Sequence, residues 1–131
     1  MSWSRSLVAA ALADVLKAAQ GPEDNASVFA SPPETLNTPA IVVGRPIEVL
    51  YGVGAFAVDT ATLPVVCIGP FLTGEDVVDA LITFVRQTIG PATSLNGAVR
   101  SCTVTREANW RAMRVAGADL LGADVVLTVE T

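Results

Sequence analysis

Apolar residues recur at helical spacing from about Arg5 to Gln20. Leu7, Val8, Ala11, Leu12, Val15, Leu16 and Ala19 return every three to four positions, and Gly21 with Pro22 ends the run. The pattern predicts an amphipathic helix with one face made to lie on a sheet. Periodicity then stops. Pro32, Pro33 and Pro39 stand among Asn, Ser and Thr, so residues 22–39 read as a long connection with little regular structure. Short β-rich runs follow, AIVV at 40–43 and IEVLY at 47–51, with GVGAF at 52–56 as a flexible corner. LPVVCIG at 63–69 is apolar throughout, as in a central strand covered on both faces.

Helical spacing returns with Val78, Leu81, Ile82, Val85 and Ile89. Thr73 and Asp76 give a capping signature ahead of them, and Gly90 with Pro91 closes the element. VRSCTVT at 99–105 reads as a strand. The chain ends in a predicted hairpin over about 109–130, NWRAMRVAG against ADVVLTVET, although Trp110, Met113 and Gly117 in the first arm also fit a helical stripe. In the second arm Val125, Leu127 and Val129 face one side, and Val126, Thr128 and Glu130 the other. Asp119 and Gly122 suit the outer positions of a type I turn, which places Leu120 and Leu121 at the tip.

This order predicts an α+β fold. Two helices pack on one face of a mostly antiparallel or mixed sheet of about four to six strands, in a single domain spanning 1–131. The second face of the sheet then needs a cover, and the unbroken LPVVCIG run points to a neighbouring molecule.

Composition sharpens that expectation. Apolar residues make up 51% of the 131 and charged ones only 16%, with a mean hydropathy of +0.52. A monomer of this mass exposes on the order of 6,500 Å², which so few charges cover thinly, leaving apolar surface for partners. The net charge of −5 argues against gripping DNA phosphates as the main task. Charge is also unevenly placed. Arg86, Arg100, Arg106, Arg111 and Arg114 are five of the eight basic residues, whereas Asp14, Glu23, Asp24, Glu34, Glu48 and Asp59 dominate the first half. One copy can thus offer an acidic edge to a basic one.

Catalytic chemistry finds little footing. Histidine is absent, which removes the commonest general base and metal ligand, and Cys67 and Cys102 lack CxxC spacing. Both cysteines lie in apolar strand-like runs and read as buried free thiols in a reducing cytosol. GVG at 52–54 precedes no helix signal, so a nucleotide cradle is not supported. Glu75, Asp76 and Asp79 complement a helix dipole rather than form a cation site. The expectation is a non-enzymatic chain without cofactor or metal. The N-terminal segment mimics a secretory signal, but Asp14 and Lys17 interrupt its apolar run, and no stretch reaches the ~20 apolar residues of a membrane span.

TPAIVVGRP, LPVVCIGPFLTGEDVVDALITFVRQTI and VRSCTVTREANWRAMRVAGADLLGADVVLTVE, taken in this order, resemble the tail terminator (tail completion) proteins of long-tailed bacteriophages over residues 5 to 130. The resemblance implies a structural virion protein assembled in the host cytoplasm. It forms a homo-oligomeric ring, commonly a hexamer, on the head-proximal end of the tail tube in the neck region. There it ends polymerisation of the tail tube protein and meets the head-tail connector protein. Neither a membrane nor a specific nucleic acid sequence is an implied partner, although DNA passes through such rings. Head-tail joining proteins of similar size and element order leave a neck or connector role as the alternative. Within a ring, Leu120 and Leu121 are expected as subunit or tube anchors, rimmed by Arg106, Trp110, Arg111 and Arg114; the competing account places the leucines in the chain's own core.

Overall fold

The computed structural model describes residues 3–52, 57–90 and 93–131. Among them the chain forms α1 (Arg5–Ala19), β1 (Ser27–Phe29), β2 (Ala40–Val43), β3 (Glu48–Leu50), β4 (Thr60–Pro70), α2 (Gly74–Ile89), β5 (Ser101–Val115) and β6 (Ala118–Glu130). The strands make one mixed sheet in the order β1-β2-β4-β6-β5, with β3 also on β4; only the β1–β2 pair is parallel. The fold is α+β, as the periodicities predict. Residues 22–39 are mostly irregular but contain β1, which the prolines nearby concealed. The corner expected at 52–56 lies, beyond Gly52, outside the described residues, as does Pro91.

Strand alternation sorts the sheet into two faces. On one face Ile41, Cys67 and Ala123 stand in register, followed by Val43, Val65 and Val125, and then by Leu63 with Leu127. These meet Leu12 and Leu16 of α1 and Val78, Ile82, Val85 and Ile89 of α2 in the main core. Each such side chain contributes roughly 1.5–3 kcal/mol by leaving water. Thr73 occupies the N-cap position of α2 without a side-chain capping bond, so Glu75 and Asp76 in the first turn provide the electrostatic complement there.

The second face is graded, and this corrects the expectation that a neighbour alone covers it. Near β2, Ala40, Val42, Ile68 and Leu120 form a smaller cluster against which Phe29 and Leu36 pack, so the chain lays part of its own long connection over this face. Farther along β4 the row turns polar, with Thr62, Thr128 and Thr103 side by side. The LPVVCIG run therefore reflects two partial cores rather than a wholly foreign cover.

Pro64 explains why β2 and β3 are separate strands on the same side of β4. Its carbonyl accepts from Gly44 N at 2.8 Å, and in an extended strand a residue's N–H points the same way as its carbonyl. The donor that proline lacks thus falls at the break between β2 and β3, where no ladder bond is lost. Trp3, just ahead of α1, is tied down beside them. Trp3 N donates to Asp59 Oδ2 at 2.8 Å and Gly52 N to Asp59 Oδ1 at 3.0 Å, and these bonds hold the Asp59 carboxyl below its usual range.

Candidate functional site

The hairpin is longer than predicted and turns elsewhere. β5 and β6 pair from Ser101↔Glu130 to Val115↔Ala118, with Ala116 and Gly117 at the tip in left-handed conformations, φ +51° and +82°. Two positive φ angles in a two-residue loop match a type I′ turn, whose twist suits paired strands. The type I turn expected at Asp119–Gly122 is therefore corrected: these residues lie inside β6, and the first arm is strand rather than helix. Leu120 and Leu121 point to opposite faces. Leu120 is buried in the second-face cluster and Leu121 packs half-buried against the main core, so Leu120 is not a tip anchor but a core residue of its own chain.

The predicted rim is brought together only in part. β5 is bulged twice, at Val104/Arg106 and at Ala108/Arg111. At the second bulge Asn109 adopts φ +58°, a conformation its side chain tolerates better than most. Asp124, almost wholly buried opposite it, accepts from Asn109 Nδ2 at 3.1 Å and from Arg111 Nη1 at 3.0 Å. Arg111 is thereby committed to its own chain. Arg114 pairs with Asp119 at 3.2 Å on the exposed surface, a contact of little energetic weight. Trp110 is 39% exposed and donates its indole N–H to Glu107 Oε2 at 2.6 Å.

Arg106 is exposed and lines a cleft of about 560 Å³ between α2 and β5. Thr83, Arg86 and Gln87 form its α2 wall, and Thr105 and Glu107 stand beside Arg106 on the other. Sequence reasoning missed Arg86 as a site residue. The signal was present in the polar stripe of Thr83, Arg86 and Gln87 on α2, but it reads as an ordinary solvated helix flank until β5 is seen to close over it.

Large apolar side chains are exposed at both ends of β4. Phe71 and Leu72 follow its C-terminal end, with Leu72 90% exposed; Ile47, Leu50 and Tyr51 flank the β3 pairing at its N-terminal end. Eleven residues of strand separate the two groups by about 35 Å.

The thiols are placed for packing. Burial pushes both Cys67 and Cys102 up to about 12, and for Cys67 the nearby Asp124 and Glu107 charges add to it, so neither is a thiolate at neutral pH. Among the described residues no group of three or more His, Cys, Asp or Glu is arranged to hold a metal ion, and no helix is long and apolar enough to cross a membrane.

Comparison with known proteins gives a likeness of fold. No family model and no curated protein sequence matches the chain. Among solved structures, a chain of the "Virion of native gene transfer agent (GTA) particle" superposes with a TM-score of 0.61 at 18% identity, covering 94% of this chain and 92% of that one. At that identity the shared property is the architecture: two helices on one face of a mixed sheet, in nearly the same length of chain.

Proposed function

We propose that this protein is a structural subunit of a phage-like virion that assembles into a ring on the head-proximal end of the tail tube, ends tube growth there and offers a surface for head joining. The observation that carries the reading is the fold shared, over nearly the whole chain, with a component of a gene transfer agent virion. The surface supports it in kind. The chain exposes 7214 Å², more than the about 6,500 Å² of a typical monomer of this mass, and among the described residues five of its seven exposed large apolar side chains lie at the two ends of β4, Leu7 and Trp110 being the others. A terminator meets two different partners along one axis, the tube below and the connector above. Phe71 and Leu72 at one end, with Ile47, Leu50 and Tyr51 at the other, suit such a pair of contacts.

Electron microscopy of particles lacking the gene tests the reading. Overlong or headless tails with irregular ends are expected. Tails of normal length that fail to join heads assign the chain to the neck instead, and particles of normal appearance refute both roles.

A further inference from the structure

The two flanks of α2 differ in charge. Val77, Ala80, Leu81 and Phe84 border a groove of about 250 Å³ under the turn at Gly21–Asp24, with Glu23 and Asp24 at its rim. The turn is held by its own bonds: Asp24 N donates to Gly21 O at 3.1 Å and Gly21 N to Asp24 Oδ2 at 2.7 Å. Glu23 stands exposed on it. At 3.6 residues per turn Arg86 falls on the opposite flank, across the buried line of Val78, Ile82 and Val85, and with Thr83 and Gln87 of the exposed side it borders the cleft shared with Arg106. Among the described residues neither Arg86 nor Arg106 forms an ion pair. The one carboxylate lining the cleft, Glu107, is engaged by the Trp110 indole.

We propose that the Glu23 turn of one copy seats in the Arg86–Arg106 cleft of the next. The inference rests on the ring reading above and names the surfaces that build the ring. An acidic turn held by its own hydrogen bonds and a polar cleft lined by two arginines, neither of them in an ion pair among the described residues, are complementary in charge, and arginine–carboxylate contacts are the strong kind of hydrogen bond. Because turn and cleft lie on opposite flanks of a single helix, the contact is head-to-tail. Such contacts repeat around a ring rather than ending at a dimer. Symmetric cleft-to-cleft pairing would set Arg86 and Arg106 against their own copies, which like-charge repulsion disfavours.

Two measurements on the full chain test this. In the first, native mass is compared for the wild type, Glu23→Arg, Arg86→Glu/Arg106→Glu and an equimolar mixture of the two variants. Each variant alone is expected to associate roughly tenfold more weakly or worse, and the mixture to recover, since each restores the other's missing charge. In the second, Glu23→Cys/Gln87→Cys is oxidised. Cys67 and Cys102 are buried and give no background, so the expected product is a ladder of cross-linked oligomers. An oligomeric wild type whose variants keep its mass and whose cysteines do not cross-link overturns this contact while leaving the ring reading intact. A wild type that stays monomeric at high concentration, together with a Glu23→Cys/Gln87→Cys variant that forms no ladder, also overturns it, and the ring reading then stands or falls on the particles lacking the gene. Retention of DNA by the wild type, lost in Arg86→Glu/Arg106→Glu without change of mass, would assign the cleft to a polyanion and sink the proposal.

Discussion

Ala116 holds a φ of +51° at the hairpin tip, a conformation that costs an L-residue with a β-carbon roughly 1–2 kcal/mol and that asparagine or glycine adopts more readily. Ala116→Asn is therefore expected to raise stability by about 1 kcal/mol, read as a higher denaturant midpoint with an unchanged slope; an unchanged or lower midpoint contradicts the turn assignment. The tip was hard to place from sequence because Ala-Gly is a weak signal for a type I′ turn, whereas Asp119 and Gly122 mimic a type I turn well. Twelve of the thirteen residues of β6 pair with β5, and that ladder outweighs the local preference. A shift of the tip by a few residues changes the meaning of Leu120 entirely, from an offered anchor to a buried one.

At the scale of elements, α1 and α2 were legible because each is a single stripe of apolar residues that closes on one core, and a 3.6-residue period survives whatever lies beneath it. β5 was less so. Its two bulges break the alternation that marks a strand, and Trp110 and Met113 fall at helical spacing as a result. What holds the second bulge is Asp124, which no local pattern singles out, since its partners Asn109 and Arg111 lie in the other arm of the hairpin. Replacing Asp124 with alanine leaves both donors without their buried acceptor and is expected to cost about 1–3 kcal/mol. Hydrogen exchange checks the location: amides around residues 108–112 should lose protection more than those of α1, and uniform loss would mean that the bulge is held by something else.

For the whole molecule, the buried thiols link stability to alkaline pH. Cys67 and Cys102 ionise near 9 when exposed and at about 12 in the folded chain, so the unfolded state loses protons first and stability falls as pH rises from about 9 to 12. The expected slope is at most ~1.4 kcal/mol per pH unit for each thiol, and Cys67→Ala/Cys102→Ala should flatten it; equal slopes would show that other groups govern the alkaline limb. The sequence by itself determined the two amphipathic helices, the central β4, the hidden thiols and the imbalance between an acidic first half and basic residues near the end. These follow from periodicity, hydropathy and charge, which are properties of neighbours along the chain. Only the tertiary structure decided where that imbalance comes to lie. The sheet order carries β1 and β5 to opposite edges, so that the Glu23 turn lies along one flank of α2 while Arg86 of α2 and Arg106 of β5 border the cleft on the other. It also decided that Asp124 captures Arg111 and that Leu120 turns inward. Contacts between residues far apart in sequence depend on register and topology, and no local pattern encodes those.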